Sequence, residues 1–451
     1  MPLSRDAGSS SALNEHLASE MRATARSLFL HALAECSIDK AFERATEYSR
    51  GVLRVCDDLY HLAGYSRVFV IAFGKAAHSM LDSLTARVGS LSGIVAAPVE
   101  PPSQLSGFRY FLGGHPVPNR ESLQAGEAVL KALSTLPPKS LVIYLISGGG
   151  SAVLEVPIDR DIPLDDLAAT YRTLVFSGAP IAEINTVRKH LSALKGGRMA
   201  QAAAAGALQQ LSLMISDVPE NALDSLASGP TMPDSSTVAQ CYNIAEKHNL
   251  LAHFPVSVRE LFEQRALEET PKPNDGAFAS ARWWPLLSNA VAQKAAAAAA
   301  ARAGFAVEID NTCDDWQYTA AADYLLGQLR RLRRGVSRIC LISGGEVTVK
   351  TEVTAGVGGR NQQFALYCAQ QISGENVTVL SAGTDGIDGN SSAAGAVADG
   401  TTVERALSSG RNPVSALRHF DAFPLFDSLG DTIVTGPTGN NIRDLRVLLA
   451  Y

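Results

Sequence analysis

Short runs of apolar residues alternate with longer amphipathic stretches along most of this chain. Short, mainly apolar runs occur at 67–73, 93–97, 141–146 and 211–215, and strand-like runs return at 305–309, 338–342, 377–380 and 432–434. Stretches with the apolar spacing of helices separate many of them. Strands that are apolar on both faces and alternate with helices are typical of a parallel sheet covered on both sides. The pattern therefore predicts an α/β protein with mostly parallel sheets.

A change in composition between residues 249 and 285 predicts two domains. This stretch contains several prolines, mixed charge and the sequence ETPKPNDGAFASARWWP. Such segments commonly join domains, so we place one domain at 18–270 and a second at 281–451. Helical periodicity extends from about residue 18 to 62 in the first domain. In the second, Ser288 and Asn289 can cap an alanine-rich helix that stops at Gly304.

Composition narrows the class of partner. Apolar residues form 46% of the 451 residues, and the formal net charge is −6. No basic face predicts binding to nucleic acid or to an anionic membrane, and no apolar run reaches the ~20 residues of a membrane span. The six cysteines lack zinc-site spacing, and the first residues lack a signal-peptide core. We therefore expect a cytoplasmic protein whose partners are small molecules.

The sequence LISGG occurs twice, at 145–149 and at 341–345. In open α/β sheets ligands bind beyond the carboxyl ends of the strands, where both turns fall. Glycines let backbone N–H groups approach and surround an anion such as a phosphate. One such turn could serve only to reverse the chain. Two of them, with the charged residues that follow, favour a phosphate site, and we expect both turns to meet the same physical need.

Two basic segments are candidates for contact with that phosphate. Lys75 follows a strand and a single glycine, so its ammonium could reach a phosphate or lie in solvent at a helix start. It is not a Walker A lysine, because Phe69 and Ala76 replace residues that the motif requires. Arg188 and Lys195 lie seven residues apart and so on one face of a predicted helix. An ordinary basic surface helix has the same pattern.

Carboxylates and an arginine also follow predicted strands or glycine clusters. Asp217 comes just after the run at 211–215, and Asp385 and Asp388 lie in a glycine-rich loop after the run at 377–380. Mg²⁺ is usually held by one or two carboxylates together with phosphate oxygens. Arg360 stands between a glycine cluster and a predicted helix. An arginine there suits the charge that develops on a transferring phosphoryl group.

Two other enzyme classes lose support. The dinucleotide-binding G-x-G-x-x-G is not completed at either candidate, because Val153 follows Gly148 and Gly150, and Asn361 follows Gly356 and Gly358, at the position of the last glycine. Val153 also breaks the nucleophile motif G-x-S-x-G around Ser151. His115, in GGHPVPN, is isolated in the sequence, and we interpret it as a loop histidine rather than a general base.

Several motifs occur in an order that resembles the type II glycerate 2-kinases, whose carboxyl-terminal half is called the MOFRL domain. The resemblance extends from about residue 20 to the end of the sequence. The motifs are GKAA from Gly74, GGHPVPN from Gly113, ISGGGSA from Ile146, VRKHLSALKGGRMA from Val187, SDV from Ser216, SGPT from Ser228, GGRNQQ from Gly358, TDGIDG from Thr384 and GPTGNNIRDL from Gly436.

The resemblance implies an ATP- and Mg²⁺-dependent transfer of phosphate to the 2-hydroxyl of D-glycerate, giving 2-phospho-D-glycerate and ADP. It also implies two Rossmann-like α/β domains with an interdomain active-site cleft, in a monomer or a homodimer. The residues that match Lys75 and Arg360 are regarded as catalytic in that family. Arg360 would either hold the carboxylate of glycerate or stabilise the transition state.

The complete prediction assigns a role to each candidate residue. Catalysis is assigned to Lys75, Arg360 and Asp217. The residues expected to bind ATP are Ser147, Gly148, Gly149, Gly150, Ser151, Lys195, Gly344, Gly345 and Asn289. The residues expected to contact D-glycerate are Arg188, Glu346 and Thr384, and those expected to hold Mg²⁺ are Asp217, Asp385 and Asp388.

Two alternative functions remain open. The first is an NAD(P)H-dependent hydroxypyruvate reductase, a name that relatives of the family carry. The second is a non-catalytic relative that binds nucleotide or glycerate. It rests on Glu220 and Asn221, which depart from the family's pattern after SDV.

Overall fold

A computed structural model describes residues 7–350 and 356–451, with side chains from residue 15 onward. The first six residues, which belong to the segment expected to lack a signal peptide, lie outside the described residues. The chain forms two compact units. We call residues 38–287 the parallel-sheet unit. Residues up to 37 together with 288–451 form the mixed-sheet unit, which therefore contains the first helix, α1 (Ala7–Glu35).

Three short antiparallel strands open the parallel-sheet unit after helix α2 (Ile38–Ala45). They are β1 (Thr46–Ser49), β2 (Val52–Val55) and β3 (Asp58–His61). Arg50 and Gly51 join the first two strands with φ angles of 51° and 82°, as two-residue hairpins require. Leu53 and Val55 are buried while Arg54 between them is exposed, which is the period of a strand. The predicted helical continuation to residue 62 is wrong here.

The main sheet of this unit has six strands, and all of them run parallel. They are β4 (Val68–Phe73), β5 (Ser92–Ala97), β6 (Phe108–Leu112), β7 (Leu141–Ser147), β8 (Gln209–Ile215) and β9 (Ala281–Leu287). Their order across the sheet is β6-β5-β4-β7-β8-β9. The structure confirms the parallel sheet expected for this part of the chain. The ARWWP segment, which the sequence placed at a domain boundary, supplies the edge strand β9.

Helices cover this sheet and supply the core. They are α3 (Ala77–Val88), α4 (Arg120–Thr135), α5 (Gly150–Val153), α6 (Leu164–Phe176), α7 (Ile181–His190), α8 (Arg198–Ala205), α9 (Val238–Lys247) and α10 (Val256–Glu263), with 3₁₀ segments at Leu62–Gly64, Glu220–Ser228, Leu250–Ala252 and Gly276–Phe278. Every residue of β7 is buried. Val142, Tyr144 and Ile146 of that strand pack in one cluster with Val129 and Leu133 of α4.

The basic segment expected to form one helix is interrupted. Helix α7 ends at His190, and α8 begins only at Arg198, after Gly197 with a φ of 84°. Arg188 therefore lies in the last turn of α7, while Lys195 lies in the connection. The expected placement of these two residues on one helix face is wrong.

The mixed-sheet unit contains six strands with two directions. They are β10 (Ala306–Ile309), β11 (Ile339–Gly345), β12 (Val377–Gly383), β13 (Gly395–Asp399), β14 (Thr432–Ile433) and β15 (Asp444–Ala450), in the order β10-β11-β15-β12-β13-β14. Among the described strands of this unit, only β10 and β11 pair in parallel. The last strand inserts antiparallel between β11 and β12, and the remaining pairs are antiparallel. This unit departs from the expected parallel arrangement.

Helices pack on this sheet, including the amino-terminal one. They are α1, α11 (Asn289–Arg302), α12 (Tyr318–Arg333), α13 (Arg360–Gln371), α14 (Thr402–Ser408), α15 (Pro413–Arg418) and α16 (Ala422–Ser428). Arg26 of α1 donates to the carbonyls of Thr432 at 2.6 Å and Gly430 at 2.7 Å, and Arg22 pairs with Asp399. Residues 18–37, which the sequence assigned to the first domain, thus belong to the second compact unit. In the described part of the chain, no helix is both long and apolar enough to cross a membrane.

Candidate active site

Three neighbouring strands of the parallel sheet end in residues predicted to act on phosphate. Lys75 follows β4, the 148–151 turn follows β7, and Asp217 follows β8. The N–H of Lys75 donates to the carbonyl of Gly148 at 2.9 Å, which ties the first two connections together. Because parallel neighbours end at the same edge of a sheet, the structure brings these candidates together.

The glycines of this turn allow side chains to close on the backbone. A Cβ at Gly148 would lie 2.0 Å from Oδ2 of Asp217. Gly149 has a φ of 80°, and a Cβ there would lie 2.8 Å from the His115 ring and 3.1 Å from Cγ of Lys75. Any larger residue would displace these groups and strain the backbone. The turn thus requires glycine for space as well as for conformation.

The N–H groups of the turn are available to a ligand. Within residues 7–350 and 356–451, the N–H groups of Gly148 and Gly149 donate to no other residue. Ser147 and Ser151 flank them differently: the Ser147 hydroxyl accepts from the Ala76 N–H at 3.0 Å, and the Ser151 hydroxyl contacts that of another serine, Ser228, at 2.9 Å. Open N–H groups beside a cation form a concavity suited to an anion.

A cavity of about 310 Å³ adjoins the turn. Its wall includes His115, Gly149, Ser151, Tyr171, Arg188 and Asp217. Its volume lies near the lower end of the range for small-molecule pockets. The cavity therefore suits a small polar ligand rather than a large apolar one.

His115 belongs to this site, which the sequence alone did not indicate. Burial, and next the positive charge of Lys75, lower the pKa of His115 below its usual value. The lowered pKa favours the neutral imidazole, which can face an anion as a dipole. The motif GGHPVPN, present in the family pattern, was the available signal. Its isolation in sequence led to the interpretation of His115 as a loop histidine.

Lys195 does not reach the turn. Its side chain is 1% exposed and forms an ion pair with Glu155, which is fully buried. Its ammonium also lies 3.3 Å from the Tyr171 hydroxyl. Burial lowers the pKa of Lys195, and the charge of Glu155 opposes that effect. This placement differs from the predicted contact with ATP.

Arg188, in contrast, faces the cavity without a carboxylate partner. Its guanidinium carbon lies 4.8 Å from the centre of the Tyr171 ring. Its Nε is buried and makes no hydrogen bond, and no ion pair joins it to any described residue. The next residue, Lys189, pairs with Asp224 at 3.1 Å and with Asp234 at 2.9 Å. Lys189 and Lys195 thus have carboxylate partners. Arg188, which lines the cavity, has none among the described residues and remains available to a ligand.

The second LISGG turn is occupied by the protein's own amide groups. The N–H of Gly344 donates to Oδ1 of Asn311 at 2.8 Å, and that of Gly345 donates to Oδ1 of Asn289 at 3.2 Å. Asn289 in turn donates to the carbonyls of Ile442 at 2.7 Å and Asp444 at 2.9 Å. The expectation that both turns meet one need is therefore wrong, since these N–H groups already have partners.

Arg360 lies at the start of α13 between two carboxylates. Asp444 accepts from its Nε and Nη2, and Glu346 lies 2.8 Å from Nη2. Burial would lower the pKa of Arg360, but the hydrogen bonds and charge of Asp444, with the charge of Glu346, raise it above the usual value. The predicted catalytic arginine and the predicted substrate residue Glu346 are thus in direct contact.

Asp388 caps helix α13. Its Oδ1 accepts from the N–H and side-chain amide of Asn361, and its Oδ2 accepts from the corresponding groups of Gln362, all between 2.9 and 3.3 Å. Burial raises the pKa of Asp388 to about 6, although the backbone donors favour its charged form. Both oxygens are engaged, so the carboxylate does not fit the predicted role of metal ligand.

Asp385 and Thr384 share the loop that follows β12. Asp385 is partly exposed, and its Oδ1 accepts from the N–H of Ile387 at 3.1 Å. Thr384 is buried and donates to the carbonyl of Arg443 at 2.7 Å. No group of three or more His, Cys, Asp or Glu residues that could hold a metal occurs in the described residues.

Comparison with known proteins identifies the family. Residues 24–263 match a domain of unknown function designated DUF4147, and residues 339–444 match the MOFRL family. The D-glycerate 2-kinase of Thermotoga maritima is 34% identical over 390 residues, which cover 84% of this chain and 89% of that protein. The chain belongs to the type II glycerate 2-kinase family.

Solved structures agree with this assignment to the glycerate 2-kinase family. The crystal structure of a glycerate kinase from Thermotoga maritima is similar with a TM-score of 0.82 and 30% identity, covering 96% of this chain and all of that one. Another relative, from Agrobacterium vitis, is named as a candidate hydroxypyruvate reductase. It is 36% identical over 402 residues, 85% of this chain and 87% of that protein. The family resemblance and the α/β class predicted from sequence are confirmed.

Proposed function

We propose that this protein is a glycerate 2-kinase, which transfers the γ-phosphoryl group of ATP to the 2-hydroxyl of D-glycerate and releases 2-phospho-D-glycerate and ADP. The observation that carries the proposal is the 148–151 turn, whose open N–H groups lie beside Lys75 at the carboxyl edge of a parallel sheet. Membership in the glycerate 2-kinase family supports it.

The turn and Lys75 supply what phosphoryl transfer needs. Such transfer depends on positioning and charge neutralisation more than on covalent chemistry with the protein. The N–H groups of Gly148 and Gly149 hold phosphate oxygens, and the exposed ammonium of Lys75 neutralises the transferred group. Burial and the charge of Lys75 favour the neutral form of His115. Its imidazole therefore offers the anion a dipole rather than a second positive charge.

Asp217 fits the role of a magnesium ligand better than the other predicted candidates. Its carboxylate lies against Gly148, where phosphate oxygens can complete the coordination shell, and one or two carboxylates are usual for Mg²⁺ in such sites. Asp388 does not fit, because both of its oxygens bind N–H donors. When bound, Mg²⁺ neutralises charge on the phosphates and so favours their transfer.

Two arguments support a catalytic role for Arg360, namely the family resemblance and the chemistry of its guanidinium. Its guanidinium is fixed by Asp444 and Glu346 rather than free to move. A fixed arginine can bind a carboxylate or stabilise a transition state without reorganising. Both roles stay predictions, as do the interdomain cleft, the cytoplasmic location and the choice between monomer and homodimer.

Phosphorus NMR tests the proposal directly. Purified protein is incubated with D-glycerate and Mg-ATP, and we expect 2-phosphoglycerate and ADP to appear. Lys75→Ala should abolish most of the turnover, while Lys131→Ala, which removes an exposed lysine on α4, should not. Formation of 3-phosphoglycerate would contradict the position of transfer. Consumption of NADH with hydroxypyruvate, or ATP binding without ADP release, would favour one of the two alternatives instead.

A further inference from the structure

Three cations lie close together in and after α7, and the described residues of the protein supply carboxylate partners to two of them. Lys189 has two aspartate partners and Lys195 has Glu155. Arg188 has the Tyr171 ring and a buried Nε without a hydrogen bond. Leaving a buried donor of a charged group unsatisfied is costly unless a ligand satisfies it. The arrangement therefore points to an anion that binds at Arg188.

The guanidinium of Arg188 lies over the Tyr171 ring, with its carbon 4.8 Å from the ring centre. The ring covers one side of the guanidinium, and the N–H groups of an arginine lie in the guanidinium plane. That geometry suits a carboxylate, which accepts two parallel hydrogen bonds from the fork. Gly149 and Ser151 of the 148–151 turn line the same cavity as Arg188 and Tyr171. An anion at Arg188 would therefore lie next to the proposed phosphate site.

A buried polar network anchors Tyr171. Its hydroxyl donates to Glu155, whose carboxylate also accepts from Lys195, from the Ser192 hydroxyl at 2.5 Å and from the Val156 N–H at 3.0 Å. Tyr171, Glu155 and Lys195 are each no more than 2% exposed. Breaking one member of such a network leaves a buried charge uncompensated, so the ring is held in one place.

We propose that Arg188, stacked on Tyr171, binds the carboxylate of the hydroxy-acid acceptor, and that Tyr171 is a positioning residue fixed by the buried Glu155–Lys195 pair. The inference rests on the proposed kinase function and adds to it the subsite for the acceptor. In this proposal Lys195 helps to hold Tyr171 in place through Glu155 and does not contact ATP. With the acceptor of the proposed function, a small 2-hydroxy carboxylate, the carboxylate would lie on Arg188 and the hydroxyl would face the turn.

Steady-state kinetics of four variants test this subsite. Arg188→Ala and Tyr171→Leu should each raise the KM for D-glycerate by about tenfold or more, the usual size of a charge-assisted contact. The KM for ATP should change by less than about twofold. The double variant should be no worse than Arg188→Ala alone, because both changes remove one interaction. Tyr171→Phe keeps the ring but loses the hydrogen bond to Glu155, so it should raise the KM for D-glycerate by less than Tyr171→Leu does.

The controls separate this inference from simple unfolding. Arg172→Ala removes an exposed arginine one residue along α6 and should leave both KM values unchanged. Circular dichroism melting reports whether each variant is folded. A rise in the KM for ATP, additive effects in the double variant, or a Tyr171→Phe effect as large as that of Tyr171→Leu would each overturn the proposal.

Calorimetric titration of D-glycerate distinguishes the two levels of the hypothesis. If wild-type protein binds D-glycerate but forms no phosphorylated product, the kinase function fails, and the variants' affinities still judge the subsite. If wild type forms 2-phosphoglycerate and Arg188→Ala keeps its KM and affinity, the subsite alone is refuted. If wild type neither binds nor phosphorylates D-glycerate, both fail.

Discussion

Asp444 accepts two hydrogen bonds from Arg360, one from Nε at 2.6 Å and one from Nη2 at 3.0 Å. Asp444 is 1% exposed and begins the last strand, β15, so the carboxylate stands on a rigid element. A carboxylate held in this way keeps the arginine in one orientation. The catalytic role expected of Arg360 therefore depends on Asp444, a residue of the GPTGNNIRDL motif to which the sequence analysis gave no role.

Replacing this carboxylate should impair turnover more than folding. Asp444→Asn keeps the shape but places an amide opposite one guanidinium donor, so we expect kcat to fall by about tenfold or more. The control is Asp427→Asn, which changes an exposed aspartate on α16. Wild-type kcat in Asp444→Asn, measured in the coupled ADP assay, would contradict a positioning role.

The first glycine turn should tolerate no side chain. Gly149→Ala would place a methyl group 2.8 Å from the His115 ring at a φ of 80°, and we expect the affinity for ATP to fall by about tenfold or more. Gly178→Ala is the matched control, because Gly178 has a φ of 75° and no atom within 4 Å of its Cβ position. It should cost about 1 kcal/mol of unfolding free energy and leave nucleotide binding intact. Equal loss of ATP affinity in both would indicate strain alone.

The charge of Lys75 should be visible in the titration of His115. Burial and Lys75 lower the pKa of His115, so Lys75→Met should move its NMR titration midpoint up toward the usual value near 6.5. Lys131→Met should not. An unchanged midpoint in Lys75→Met would show that the ammonium lies away from the ring.

The same lowered pKa makes a prediction for stability. Below about pH 6.5 the unfolded chain binds a proton at His115 that the folded chain does not, so this residue lowers the free energy of unfolding as the pH falls. His115→Gln should remove that contribution. Between pH 7 and pH 5.5 the free energy of unfolding should therefore fall less for the variant than for wild type. Urea unfolding at several pH values measures it, and parallel curves would refute it.

Replacing Asp388 should lower the stability of the fold and leave the Mg²⁺ concentration needed for activity unchanged. Asp388→Asn puts an amide against the N–H groups that cap α13, and the expected loss is about 1–2 kcal/mol of unfolding free energy. Asp217→Asn, in contrast, should raise the Mg²⁺ concentration for half-maximal activity by about tenfold. If Asp388→Asn shifted the Mg²⁺ requirement while Asp217→Asn did not, the assignment of the metal ligand would be reversed.

The sequence by itself determined the strands that lie in the interior and the chemistry at their ends. Buried strands such as β4 and β7 are continuous apolar runs, a local signal that burial on both faces imposes. A glycine turn after β7 and single charged residues after β4 and β8 are also local, so the candidate residues of the parallel-sheet unit could be picked out from the sequence. The family motifs then supplied the reaction.

Only the tertiary structure decided how these parts combine. The last strand inserts between β11 and β12, and pairing order depends on contacts between residues far apart in sequence, which periodicity does not record. The two LISGG turns are alike in sequence, but Asn289 and Asn311 fill one of them. Lys195 and Arg188 are both basic, but Glu155 reaches only Lys195. The role of each motif thus depends on residues that are near it in space but distant along the chain, because these residues determine its burial and its hydrogen bonds.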